Sequence, residues 1–199
     1  MSDCWLPGVT RALVLASASP RRREILAMAG IPFESAPSGI EEIPMPGDPE
    51  NVVMHWARMK AEKVIPDWED RAVLGADTMV ALGGKLLGKP ADREDAVSML
   101  LDLSGSWHTV FGGVCIIWPE RGLDLCFAES TRVRFRTLSL REIECYADTG
   151  EPMDKAGAYG IQGFGCAMVD RIEGCFFNVM GLPVARLVRE ISDWIGKGG

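Results

Sequence analysis

Residues 12–22 read ALVLASASPRR, and the reading of this stretch decides the fold class. The run 12–16 is short, apolar and uncharged, which is the signature of a strand buried within a sheet. Ser19-Pro20 follows at once. Serine suits an N-cap, and proline suits the first helical position because the N–H it lacks would have had no partner there. A buried strand turning directly into a helix opens an α/β unit. That helix is expected to bury Ile25, Leu26 and Ala29 and to stop at Gly30.

The alternation continues along the chain. A second helix is expected from Asp48-Pro49 to about Val64, with an apolar stripe through Val53, Ala57 and Val64. Residues 72–82 read as a strand, bent at Gly75 and closed by a Gly83-Gly84 turn. Asp92 should cap a helix that buries Ala96, Leu100 and Leu103. Strands are expected at 108–118 and 123–136, then a helix from Leu140 to about Thr149 behind the capping box Ser139-Leu140-Arg141-Glu142. The glycine-dense residues 157–165 read as irregular, 167–172 and 176–179 as strands. Pro183 opens a last helix with Val184, Leu187, Val188, Ile191 and Ile195 on one face. The expected class is α/β, a mixed central sheet flanked by helices, with residues 1–199 forming a single domain that has room for two lobes.

Composition narrows the function. Hydrophobic residues make up 47% and charged residues 25%, as in ordinary globular proteins. Residues 1–10 lack the basic start and apolar run of a signal peptide, and no apolar stretch approaches the roughly 20 residues of a membrane span. The expectation is a cytoplasmic protein with no membrane partner. A net charge of −7 repels nucleic-acid backbones, so no polymeric nucleic acid is expected as partner. The six cysteines contain no C-x-x-C pair, and there are only two histidines, His55 and His108. A zinc site therefore reads poorly. The cysteines are expected as buried free thiols, in keeping with a reducing compartment.

Four places carry candidate chemistry. Ser17, Ser19, Arg21 and Arg22 surround a helix N-terminus, whose free N–H groups and partial positive charge attract phosphate. The same residues also suit a capped helix with solvated arginines. Lys60 shares the stripe of Val53, Ala57 and Val64, so it either snorkels at the edge of the core or reaches into a cleft to meet phosphate. Asp77-Thr78 stands in an apolar strand, where burying a carboxylate costs free energy unless a cation or a reacting water uses it. Lys89, in Gly88-Lys89-Pro90, and Glu41-Glu42 could face the same place. Carboxylates without histidine partners suit Mg²⁺ or Mn²⁺. Finally, glycines in 154–163 allow close backbone approach to a ligand, and the amide of Gln162 could read a base edge; a flexible surface loop has the same composition.

In series these motifs resemble the Maf family of nucleotide pyrophosphatases, from about Leu13 to Leu187. The segments are SASPRR at 17–22, GIEE at 39–42, GADT at 75–78 and GKP at 88–90. SGSWHTV at 104–110, DKAGAYGIQGFG at 154–165 and NVMGLP at 178–183 follow. The resemblance implies a two-lobed α/β fold around a substrate cleft, often as a homodimer. It implies hydrolysis of a nucleoside triphosphate to monophosphate and pyrophosphate with a divalent metal. Asp77 matches the general base, and Glu42 an acidic residue linked to metal and catalysis. Arg21, Arg22, Lys60 and Lys89 match phosphate-handling positions, and Ser17 and Ser19 the serines of the same loop. The metal would be held by Glu42 and Asp77.

Within the family, the branch acting on dTTP and UTP carries the arginine, threonine and glutamine found here as Arg21, Thr78 and Gln162. The sibling branch, acting on 7-methyl-GTP, typically has tryptophan, glutamine and glutamate instead. Gly112 departs from the threonine of many relatives and removes a hydroxyl. The alternatives to a dTTP and UTP pyrophosphatase are therefore the sibling activity and a nucleotide-binding regulator of cell division.

Overall fold

The computed structural model describes residues 12–43 and 45–197. The reading of residues 1–10, and Cys4, lie outside the described residues. Among the described residues seven strands and six α-helices follow one another: β1 Leu13–Leu15, α1 Pro20–Met28, β2 Phe33–Ser35, α2 Pro49–Val64, β3 Val73–Leu82, β4 Lys85–Leu87, α3 Arg93–Leu103, β5 Trp107–Trp118, β6 Leu123–Phe135, α4 Leu140–Ala147, β7 Val169–Glu173, α5 Phe176–Met180 and α6 Val184–Gly196. The strand order is β2-β1-β3-β5-β6-β7, with β4 paired to β3. β1 pairs parallel with β2 and β3, whereas β3/β4 and β6/β7 are antiparallel. The sheet is mixed and the class α/β. The chain divides into two compact units, 1–77 with 112–129 and 181–199, and 78–111 with 130–180. Strands β3, β5 and β6 each run from one unit into the other.

In the first unit the sheet is buried on both faces. Leu13, Val14 and Leu15 are all buried although they alternate in direction, and β5 is buried throughout from Gly112 to Trp118. Val14, Ala16, Val73, Cys115 and Ile117 pack with Ala57, Ala61 and Val64 of α2. The expected stripe of α2 is thus the buried one, and Lys60 is buried within it. Helix and sheet lie unusually close. A Cβ on Gly75 would overlap the carbonyl oxygen of Ala57 and stand 2.9 Å from the Ala61 nitrogen, and one on Gly113 would meet the backbone of Val53. Glycine at 75 thus serves close packing, with no Cβ to hold α2 away from β3.

The second unit differs. Along β6, Thr131, Val133 and Phe135 are buried while Arg132 and Arg134 are exposed, the period-2 pattern of a sheet with one wet face. His108 on β5 is bonded through Nε2 to the Tyr159 hydroxyl at 2.8 Å, and Phe135 stands edge-on to both rings. Among the described residues the His108 Nδ1 has no hydrogen-bond partner, and burial lowers the imidazole pKa to about 4. Ser139 and Glu142 form the expected capping box on α4. Asp92 caps α3 as read, and Asp48, where α2 was expected to start, caps that helix.

Four expectations need correction. Ser19 makes no side-chain capping bond; its N–H instead donates to Ser17 Oγ at 3.2 Å. Strand β2, three residues long and half-exposed to exposed, was too short and too polar to announce itself. Residues 176–179, read as a strand, belong to helix α5, enclosed by Gly174 and Gly181 at φ +130° and +126°. The helical turn buries Asn178, whose Nδ2 donates to Val110 O at 3.2 Å and Thr131 Oγ1 at 3.1 Å, a tertiary demand that outweighs the β-propensity of Phe and Val. Cys115 and Cys126, expected as buried free thiols, form a disulfide, while Cys145 and Cys166 are free but exposed and Cys175 is free and half-buried. The adjacent strands β5 and β6 bring their Cα atoms to 4.2 Å, a proximity that cysteine spacing in the sequence does not reveal.

Two tests follow from these packing arrangements. Tryptic digestion without reductant, which cuts at Arg121 between the two cysteines, should recover Cys115 and Cys126 in one cross-linked pair of peptides. Closing a loop of this size stabilises by about 3 kcal/mol, so reduction should lower the Tm by roughly 5–10 °C. Buried neutral His108 binds its proton less readily than the unfolded chain does. Its contribution is therefore fully present above pH ~6.5 and is lost as pH falls towards about 4, roughly 3 kcal/mol in all. Denaturant unfolding of the protein and of His108→Gln between pH 4 and 7 should show this as a difference in slope.

Candidate active site

Two chain segments converge on the carboxyl end of β1. After Ala16 the chain turns through Ser17 into α1, and proline at the first helical position fixes the entry. Arg22, one turn into α1, is buried and points back: Nη1 donates to Ser17 Oγ at 2.9 Å and Nε to the Gly181 carbonyl at 3.0 Å. Both flanks of its guanidinium are thereby fixed, which a freely solvated arginine would not be. The solvated-arginine alternative fails for Arg22. Arg21 is half-buried, and its charge acts unfavourably on Arg22.

The second convergence is on Lys60. The close packing of α2 on β3 lays this side chain, 7% exposed, beside Asp77, 5% exposed. Lys60 Nζ donates to Asp77 Oδ1 at 2.8 Å and to the Ala76 carbonyl at 3.3 Å, and lies 2.5 Å from Glu42 Oε1. Glu42 comes from the loop before α2 and remains 38% exposed. One ammonium therefore joins two carboxylates from separate parts of the chain. Lys60 does not snorkel.

The electrostatics are mutual. Burial is the largest influence on Asp77 and raises its pKa; Glu42 adds to that rise, while Lys60 and Arg22 oppose it. Burial likewise lowers the pKa of Arg22, against the pull of Asp77 and Glu42. An arginine remains charged through such a shift. The result is a set of cations fixed around a carboxylate of raised basicity, suited to holding a polyanion and accepting a proton from water.

Direct contacts thus link Ser17 with Arg22, and Lys60 with Asp77 and Glu42; the two groups act on each other through charge. Ser19 is bonded to Ser17, and Arg21 is close in charge. Thr78 follows Asp77 on β3 and is half-buried. Lys89 lies in the second unit just after β4, is exposed, and makes no ion pair with a described residue. Gln162 is half-buried in the second unit, at the N-cap of the 3₁₀ turn Gly163–Met168. What the sequence could not show is the backbone's share. The carbonyls of Gly181 and Ala76 hold Arg22 and Lys60, and main-chain acceptors leave no residue-type signature.

Two oxygen donors, on Glu42 and Asp77, suit a hard cation that takes its remaining ligands from water and phosphate. Among the described residues a different trio, Cys115, Asp124 and Cys126, also has metal-ligand spacing. It does not suit a cation, because its two sulfurs are bonded to each other and neither is available as a thiolate.

Fold and site together define an α/β protein in which buried Lys60 and Arg22 act on one buried carboxylate, Asp77 of β3. The chain belongs to the Maf family, matching the family described as Maf-like protein over residues 12–194. It is 47% identical to a protein named dTTP/UTP pyrophosphatase from Aquifex aeolicus, over 91% of this chain and 94% of the relative. Proteins of the same name from Syntrophomonas wolfei and Bacillus cereus are 48% and 45% identical, over 87% and 92% of this chain and 92% and 96% of theirs. A looser likeness, with a TM-score of 0.45 and 14% identity across 80% of each chain, is to the Ham1 protein of Staphylococcus aureus. No described helix is long and apolar enough to cross a membrane.

Removing Lys60 alone should be worse than its size suggests. Lys60→Met would leave Asp77 buried beside Glu42 without their shared cation, at a cost of about 3–5 kcal/mol. Urea unfolding near pH 7 measures this, and the loss should shrink on acidification as Asp77 takes up a proton.

Proposed function

We infer that the chain is a nucleoside triphosphate pyrophosphatase that hydrolyses dTTP and UTP to the monophosphate and pyrophosphate, working as one catalytic domain. The observation that carries the reading is the Lys60–Asp77–Glu42 cluster beside Arg22, within a chain close to half identical to proteins named for that activity.

In the reaction, water adds to the α-phosphorus while the bond to the α–β bridging oxygen breaks. Pyrophosphate leaves with the electron pair. Asp77 orients the water and takes its proton, for which its raised pKa suits it better than an ordinary aspartate. Arg21, Arg22, Lys60 and Lys89 bind and orient the phosphates, and the hydroxyls of Ser17 and Ser19 contribute hydrogen bonds. Glu42 and Asp77 would hold a divalent cation, Mg²⁺ or Mn²⁺, which when bound neutralises charge on the phosphates. Arg21, Thr78 and Gln162 favour a pyrimidine over 7-methylguanine.

The test is product analysis by ion-exchange chromatography after incubation with Mg²⁺ and dTTP, UTP, ATP or 7-methyl-GTP. Monophosphate and pyrophosphate should appear from dTTP and UTP, and Asp77→Asn should slow their formation by roughly 10²–10⁴. The rate should fall with decreasing pH through a pKa above that of an ordinary aspartate. Preference for 7-methyl-GTP would overturn the substrate assignment, and near-normal turnover by Asp77→Asn would remove Asp77 as the base.

A further inference from the structure

The segment carrying Gln162 is held from both sides by two side chains with no place in the scheme above. The Tyr146 hydroxyl accepts the Gly160 N–H at 3.0 Å and donates to Glu151 Oε1 at 2.9 Å. The same carboxylate accepts the Gly165 N–H through Oε1 at 3.2 Å and the Phe164 N–H through Oε2 at 3.0 Å. Three backbone N–H groups, at 160, 164 and 165, thus end on one phenol–carboxylate pair. Only Ile161, Gln162 and Gly163 lie between the two anchors, and Ile161 is itself buried.

Both anchors are fixed in turn. Tyr146 is buried in the last turn of α4, where its carbonyl accepts from Thr149 Oγ1 at 2.7 Å. Thr149 Oγ1 accepts the Glu151 N–H at 3.1 Å. Burial, the main influence, raises the Tyr146 pKa and keeps its proton available for donation. The glycines complete the fit: a Cβ on Gly163, at φ +75°, would stand 2.5 Å from Glu151 Oε2, and one on Gly160 would stand 2.8 Å from Lys155 Cε.

We propose that Tyr146 and Glu151 are positioning residues for base recognition, clamping residues 160–165 so that Gln162 is presented to the nucleotide base in one orientation. This rests on the reading of Gln162 as the base-reading residue. A side-chain amide discriminates only if its carbonyl and NH₂ are held the right way round, and a loop ordered before binding spares the ligand the ordering cost.

The conservative variants are informative because of the geometry. In Glu151→Gln, both carboxylate positions face donors, so the new NH₂ must oppose a backbone N–H. Tyr146→Phe removes the acceptor of Gly160 and the donor to Glu151 while keeping the ring in the core. Steady-state pyrophosphate release from dTTP, UTP and ATP would be measured for the wild type, both variants, Gln162→Ala, and Tyr146→Phe combined with Gln162→Ala. Each clamp variant should raise KM for dTTP and UTP about tenfold, change kcat by no more than about threefold, and narrow the preference over ATP. Adding Tyr146→Phe to Gln162→Ala should cost nothing further, since neighbouring groups acting as one unit are not additive. Amide exchange guards against mere misfolding: it should quicken at 160, 164 and 165 in the variants, with the rest of the second unit unchanged.

Absence of pyrophosphate release by the wild type would sink the pyrophosphatase reading and this role with it. An active wild type whose base preference survives Gln162→Ala would end the assignment of Gln162, and so of its clamp. Equal losses of kcat on all three nucleotides, a KM penalty that persists undiminished in the double variant, or exchange that quickens throughout the unit would reduce Tyr146 and Glu151 to structural residues.

Discussion

The placement of one buried ammonium between two carboxylates is the constraint on which the rest of the site depends. Lys60 cannot be left unpaired at 7% exposure, and Asp77 cannot be left ionised at 5% exposure. Each justifies the other's burial, and Glu42 closes the arrangement from the exposed side. Because both partners are charged and neither is free to reorient, the cluster specifies where α2 must lie along β3. That location in turn requires a backbone without a Cβ at Gly75 and Gly113. Packing and electrostatics are here a single requirement expressed through different residue types.

The same economy governs Arg22. A guanidinium at a helix N-terminus faces the unfavourable end of the helix dipole, and burial adds to the cost. The Ser17 hydroxyl and the Gly181 carbonyl offset part of this by satisfying its donors, and the nearby carboxylates of Asp77 and Glu42 supply opposite charge. A phosphate chain bound there would meet groups already oriented, which is the physical content of preorganisation.

Much of this was legible in the sequence because it rests on patterns of period and residue type. The helix around Lys60, the strand around Asp77 and the junction at Ser17 all declare themselves locally, and the stripe of α2 correctly places Lys60 on the buried face. Where local signals are weak or tertiary demands override them, the reading failed. Residues 176–179 look like a strand, yet the buried amide of Asn178 requires a helical turn to reach Val110 and Thr131. The Cys115–Cys126 link depends on the register of two long strands, and Glu151 resembles any exposed loop acid until its oxygens are seen to receive backbone N–H groups from across the glycine segment.

The path of the chain has a consequence for how the protein is made. Ser17, Arg22, Glu42, Lys60 and Asp77 are all synthesised before any of the second unit, which begins at Thr78. The carbonyl that anchors Arg22, however, lies 159 residues further on, at the start of the last segment. A nascent chain thus contains the charged residues of the cluster early but can complete the anchoring of Arg22 only once Gly181 has been made. Interleaved segments of this kind give long-range closure, the topology that slows folding and leaves the early part of the chain dependent on chaperoning or on fast completion.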